Sequence, residues 1–241
     1  MELGSVPTAW AMLHRYRTVM VRPGRDRLRG DVEVDESFLG GPEPGVPGRG
    51  ALGKVLFAAA VEVNEGRIGR ARLGVIPDAS TVSLAAFLDA NVEPGSRVIT
   101  DGWSAYPGAT RDRYPHQGTS VAASGLHAHE VLPAVHLVFS LVKRWVMGTM
   151  QGSVSPEHVQ AYFDEWVFRF NRRNSRSRGL MFHTLLRQAV DGQPGDLPLA
   201  TQGRTDPASA TARARCAAAP AQPGRRAAPA ALARAASDSI N

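Results

Sequence analysis

Residues 30–41 read GDVEVDESFLGG, and the organisation of the chain follows from this stretch. Val32, Val34 and Phe38 occupy one set of alternate positions, while Glu33, Asp35 and Ser37 occupy the other, with glycine at both ends. A period of two closed by glycine predicts a β-strand beginning at Asp31. Downstream, Gly40 to Gly53 reads as a loop, Lys54 to Val63 as a strongly apolar second strand, and Arg67 to Ile76 as a third that alternates again. Asp78 or Ser80 can cap a helix running to about Ala90, with Val82, Leu84, Ala85 and Leu88 expected inward. Pro94-Gly95 then turns the chain into a fourth strand, Arg97 to Thr100.

A short helical segment is expected after Asp101, and an edge strand over Tyr114 to Val121 whose pairing Pro115 and Gly118 weaken. Two longer helices follow, from about Pro133 to Met147 and from Ser155-Pro156 to about Arg172, each with proline where a first turn tolerates it. Upstream, Thr8 to Arg17 spaces Trp10, Leu13 and Tyr16 for one apolar face, and Arg15, Arg17, Arg22, Arg25, Arg27 and Arg29 make a basic connector. Past about residue 190 the chain turns to Ala, Arg and Pro without apolar period, so burial cannot offset chain entropy and a disordered tail is expected. The expected organisation is residues 1–30 as a connecting region, 31–190 as one α/β domain and 191–241 as the tail. Three strands, helix, strand, helix, strand and further helices is the order of an RNase H-like fold. Such a fold has a mixed sheet flanked by helices, with its first and fourth strands adjacent at the centre.

The 241 residues carry a net charge of +6 and are 43% hydrophobic, enough for one substantial core. A pI near 10.2 favours a polyanionic partner, nucleic acid ahead of an acidic membrane surface. No apolar run approaches the roughly 20 residues of a membrane span, and no signal-like N-terminus is visible, so a cytoplasmic protein is expected. The single cysteine, Cys216, lies in the tail, which excludes a disulfide framework and a cysteine-based zinc site.

The expected topology sets Asp35, on the first strand, opposite Asp101, at the end of the fourth. Paired carboxylates are what a hard cation such as magnesium takes alongside phosphate oxygens. Two such ions about 4 Å apart can activate an attacking hydroxyl and stabilise a leaving oxygen. Plainer explanations fit equally: Asp101-Gly102 as an ordinary turn, and Glu33, Asp35 and Ser37 as a solvated strand face. The residue pattern alone leaves both open.

Longer words narrow the choice. GDVEVDESFLGG at 30–41, VITDGWSAY at 98–106 and LVKRWVMGTMQGSVSPEHVQAYFDEWVFRFNRR at 141–173 resemble, in order, the motifs of DDE-type transposases of a bacterial insertion-sequence family. The resemblance covers about residues 7–190. It implies an RNase H-like domain that cleaves and rejoins DNA at element ends, with Asp35 and Asp101 as metal ligands and Mg2+ or Mn2+ in a two-metal site. The third ligand in that family is usually a glutamate seven residues before the lysine of a Lys-Arg pair, and counting back from Lys143 reaches His136. An Asp-Asp-His site is implied, the imidazole serving either as a nitrogen ligand that suits manganese or as carrier of the attacking water's proton. Position alone also allows a histidine packed on an amphipathic helix. Lys143, two turns on and on the same helix face, is implied to steer substrate phosphate, with Arg144 beside it. Glu130, Glu157 and Glu165 are fallback carboxylates outside the family position.

Arg172, Arg173, Arg176 and Arg178 fit phosphate contacts that position DNA without reading its sequence. Trp166, Phe168 and Phe170 are expected in the core in preference to a base-stacking platform. His116, His127, His129, His158 and His183 lack zinc-site spacing and are expected outside the site. Relatives of this kind carry an N-terminal zinc ribbon and helix-turn-helix, so residues 1–30 are expected to hold the remnant of that DNA-binding region in an N-terminally truncated chain. The resemblance thus implies a transposase acting on transposon ends and target DNA as a homodimer or higher oligomer, nucleoid-associated when bound. Its rivals are a catalytically inactive DNA-binding remnant or inhibitor of a full-length transposase, and a nuclease acting on other nucleic acids such as RNA hybrids.

Overall fold

The computed structural model describes residues 5–22, 24–40, 54–149 and 156–191, all in the first of the two parts into which the chain divides, Met1–Pro198. The predicted loop after Gly40, the Ser155 cap and the tail after Asp191 lie outside the described residues.

The strands are β1 (Asp31–Leu39), β2 (Val55–Asn64), β3 (Arg67–Val75), β4 (Arg97–Thr100) and β5 (His116–Gly118). They form one sheet in the order β3-β2-β1-β4-β5. The first three make an antiparallel meander, and β4 lies parallel to both β1 and β5. This is the predicted RNase H-like arrangement, with the first and fourth strands side by side. The β2–β3 hairpin closes through Glu65 and Gly66, both at positive φ (51° and 75°), the backbone a tight two-residue turn demands. The edge strand is shorter than Tyr114 to Val121, since only three residues pair.

Helices cover both faces of the sheet. They are α1 (Val6–Thr18), α2 (Thr81–Asn91), α3 (Tyr106–Thr110), α4 (Val121–Ser124), α5 (Ala128–Val131), α6 (Pro133–Thr149), α7 (Val159–Asn171) and α8 (Arg178–Asp191). On one face α6 presents Val135, Val138, Phe139, Val142 and Val146, at helical spacing, to Phe57, Ala59 and Val61, joined by Phe163 and Trp166 of α7. On the other, Leu84, Phe87 and Leu88 of α2 and Tyr106 of α3 pack on Val32, Val34, Ala58 and Ala60. β1 is therefore covered on both sides, as parallel-paired central strands are. Glu33 and Asp35 are only 5% and 8% exposed, so the solvated-face explanation of their alternation does not hold.

Two predicted faces differ. Ser80 caps α2, its hydroxyl accepting from the Ser83 amide, which turns Val82 outward (78% exposed) and Phe87 inward. In α1, Trp10, Leu13 and Tyr16 stay substantially exposed and Arg17 is the buried residue. The Arg17 Nε donates to Glu165 Oε2 at 2.8 Å and the guanidinium lies 4.6 Å from the Tyr162 ring centroid, so a charge anchors α1 to α7 where an apolar stripe was expected. α8 was not foreseen, and its Leu180, Phe182, Leu186 and Val190 are exposed.

The outer edge of β3 is met by side chains of α7 and its C-terminal end. The Asn171 amide accepts from Ala71 N (2.8 Å) and donates to Ala71 O (3.1 Å). Gln160 accepts from Val75 N (2.9 Å) and donates to Leu73 O (3.3 Å), and Arg173 donates to the carbonyls of Gly69 and Ile68.

Candidate active site

β1 and β4 pair in register from Asp31 with Arg97 to Glu33 with Ile99. Continued two positions further, that register sets Asp35 opposite Asp101, just where the ladder ends and adjacent strands would otherwise lie about 4.8 Å apart. Asp35 Oδ1 accepts from the Glu36 amide at 2.8 Å. Asp101 Oδ1 accepts from Trp103 N at 3.0 Å, across Gly102, whose φ is +82° and whose missing Cβ would meet Ser120 N at 3.1 Å. Only glycine takes that turn without strain.

Strand β1 also fixes the helix that faces these carboxylates. Helix starts leave backbone N–H groups unpaired, and α6 begins at Pro133 directly after buried Leu132, which has no capping side chain. Glu33 Oε2 fills the role from 101 residues away, accepting from Ala134 N (2.8 Å) and Val135 N (2.9 Å). The carboxylate also meets the positive end of the helix dipole. His136 is the next residue, and its Nε2 stands 3.5 Å from Asp35 Oδ2. That nitrogen is buried and finds no hydrogen-bond partner among the described residues.

The electrostatics explain why this approach is not an ion pair. Burial, reinforced by the charges of His129 and Lys143, holds the imidazole below its ordinary value. Burial and the charge of Asp101 push the Asp35 carboxyl from 3.8 up to about 7. At neutral pH the imidazole is uncharged, the form that offers a lone pair. Lys143, two turns along α6, is half-buried and donates from Nζ to Ser37 Oγ at 2.6 Å. Burial lowers its pKa while the charge of Asp35 draws it back up.

Asp35 and His136 thus lie together at the end of the β1–β4 ladder with Lys143 close by on α6, and Asp101 follows the last residue of the neighbouring strand. A carboxyl whose ionisation is opposed by burial and by the charge of Asp101, beside an unpartnered imidazole nitrogen, offers donors of the kind a divalent cation takes. Asp35 and His136 form the close pair, and Asp101 acts on both through its charge. Among the described residues no three His, Cys, Asp or Glu side chains gather closely enough to hold an ion.

The basic candidates divide. Arg144 and Arg176 are exposed, and Arg178 opens α8. Arg172 lies 3.8 Å from the Phe168 ring centroid and Arg173 lies 4.1 Å from that of Phe170, so these two guanidiniums are engaged within the fold. The fallback glutamates stand elsewhere. Glu130 caps α5 by accepting from His127 N, Glu165 is paired with Arg17 and Arg169, and Glu157 sits in the turn Pro156–His158. Trp166 and Phe168 are buried. Of the other histidines, His116 bonds Thr100 Oγ1 at 2.9 Å and His158 packs edge-on against Trp10 and tilted against His14.

Sequence reasoning missed Glu33, Glu36 and Tyr106. The fully buried Tyr106 donates to Glu36 Oε2 at 2.9 Å. Burial and the charges of Glu36 and Asp35 raise its hydroxyl well above the usual tyrosine value. A signal existed for Glu33, because a helix opening on Leu-Pro with no capping side chain needs an acceptor from elsewhere. Tyr106 closes the word VITDGWSAY, but its partner could not be named from spacing.

Residues 27–171 match the model of a protein family described as the ISXO2-like transposase domain. No curated protein and no solved structure matches the chain. No helix among the described residues is long and apolar enough to cross a membrane.

Proposed function

Because the chain belongs to the insertion-sequence family of DDE-type transposases defined by the ISXO2-like domain, we propose that it cleaves phosphodiesters at the ends of such an element and joins the freed 3′ end to target DNA. The observation that supports this reading is the approach of His136 Nε2 to Asp35 Oδ2, 3.5 Å apart, beside the end of the strand pair that leads to Asp101. Asp35 and Asp101 would hold magnesium or manganese and His136 would complete the set, its nitrogen favouring manganese. When bound, the metal supplies Lewis acidity for in-line phosphoryl displacement.

The chain's own residues do the rest. Lys143, held over the site by Ser37, draws a substrate phosphate toward the carboxylates. Arg144 beside Lys143 on α6, with Arg176 and Arg178 in the segment after α7, would give contacts that hold DNA without reading its sequence. Arg172 and Arg173 support that surface through their aromatic partners. Two DNA ends cut and joined together call for a homodimer or higher oligomer on DNA.

The test is nicking and strand transfer on duplex carrying the element's ends, using the full chain with Mg2+ or Mn2+, beside Asp35→Asn and Asp101→Asn. Metal-dependent cleavage lost in both variants is expected. Binding without cleavage in either metal would make the protein a DNA-binding remnant, and cleavage of RNA hybrids without strand joining would make it a different nuclease.

A further inference from the structure

We propose that Tyr106 is a positioning residue that sets the separation of Asp35 and Asp101 through its hydrogen bond to Glu36. The proposal rests on the metal-site reading above and names a residue that reading does not use.

Sheet pairing stops at Glu33 and Ile99, so both aspartates lie past the last registered pair, and like charges there tend to drive the strands apart. The loop that carries Asp101 is tied mainly to its own surroundings. Gly102 N donates to Thr100 Oγ1 at 3.2 Å, Trp103 Nε1 to Ala79 O at 3.1 Å, and Thr81 Oγ1 to Ala105 O at 3.2 Å. These contacts fix the loop to β4 and to the start of α2. Tyr106 ends the loop and returns to β1, where its hydroxyl meets Glu36 Oε2 at 2.9 Å. Glu36 in turn donates its amide to Asp35 Oδ1 at 2.8 Å. A continuous tie therefore runs from the Asp101 loop to the Asp35 carboxylate on the face of β1 opposite His136.

The tie is stiff. Tyr106 is 0% exposed and its ring is packed in the core with Val32, Val34 and Leu84, so the hydroxyl has one place to be. Metal sites tolerate ligand displacements of only about 0.5 Å, and groups that orient ligands without touching the ion typically change affinity by about 10–100-fold. Tyr106→Phe removes the hydroxyl and keeps the packed ring, which makes it a clean probe.

The experiment titrates Mn2+ into the full chain by electron paramagnetic resonance, with melting temperature and DNA-end affinity measured on the same samples, for wild type, Y106F, E36Q, E36A and Y106F/E36A. Y106F and E36A are expected to weaken Mn2+ binding about tenfold. The double variant should be no worse than either single, since both break one tie. E36Q keeps an acceptor for the phenol and should retain most of the affinity, and DNA-end affinity should not move. Wild-type Mn2+ affinity in Y106F, whatever its melting temperature, would make the tyrosine merely structural and overturn the proposal. E36Q as weak as E36A would assign the effect to the glutamate's charge and overturn it equally. Should Y106F fail to fold, the E36Q and E36A pair decides the question. A wild-type chain that binds no Mn2+ would instead remove the metal site itself, an outcome distinct from both.

Discussion

Replacing Asp35 by asparagine should abolish cleavage and make the metal-free protein more stable. In the fold the Asp35 carboxyl titrates at about 7 in place of 3.8, so between those values the folded state binds more protons than the unfolded one. Stability therefore falls as pH rises through that window, and above about pH 7 the penalty is fully present. At about 1.4 kcal/mol per pH unit the penalty is at most about 4–5 kcal/mol, with little discount for solvent because the side chain is 12% exposed. Asparagine removes the charge, keeps an oxygen for the Glu36 amide, and can turn its NH2 toward the unpartnered His136 Nε2. Allowing for relaxation, a gain of about 2–4 kcal/mol is expected, which at roughly 2–4 °C per kcal/mol raises the melting temperature by about 4–16 °C. The assay is thermal unfolding at pH 8 in chelator, followed by Mn2+ addition. Wild type should recover about 2.7 kcal/mol at a metal concentration 100 times its Kd, and Asp35→Asn should not respond. An Asp35→Asn protein less stable than wild type in chelator would refute the claim that this pocket holds uncompensated negative charge.

Glu33→Ala strips the cap from α6 and leaves two buried N–H groups dry. It should lower stability in denaturant titration by about 2–4 kcal/mol, with Glu33→Gln intermediate; an unchanged midpoint would mean water reaches the helix end. Lys143→Gln should weaken DNA-end binding at low salt and reduce the slope of log Kd against log salt by about one, whereas an unaltered slope would place phosphate elsewhere. His14, packed among the rings of Trp10, His158 and Tyr162, has its pKa lowered by burial and by Arg17 from 6.5 to about 4. The unfolded chain binds the extra proton between those values, so α1 docking should weaken as pH falls from 6.5 to 4. Tryptophan fluorescence of wild type against His14→Gln reads this, and parallel acid profiles would count against it.

The strand order was legible because β1, β2 and β3 alternate or run apolar between turns, and the placing of Asp35 beside Asp101 follows once β1 and β4 are neighbours. The helix α6 was legible from Pro133, placed where a first turn tolerates proline. What stayed hidden depends on partners far along the chain. Nothing local to Glu33 says that it will cap a helix 101 residues away, and Tyr106 gives no sign that its hydroxyl reaches Glu36. Nothing in the spacing of Arg172 and Arg173 says that their guanidiniums rest against Phe168 and Phe170. The buried side of α1 was misjudged for a similar reason, since hydropathy patterns weigh Trp10 and Leu13 above an arginine whose partners, Glu165 and Tyr162, lie far along the chain.

The side-chain amides along β3 bear on how this protein behaves when crowded. An outer strand with bare N–H and C=O groups is a template for any extended chain that drifts past. Here Gln160, Asn171 and Arg173 occupy those positions as a pseudo-strand made of side chains, so the template is already filled. Substitutions at these three positions should therefore announce themselves as insoluble, fibre-forming protein before any loss of chemistry is measured, and a screen for activity alone would misfile them as catalytic defects.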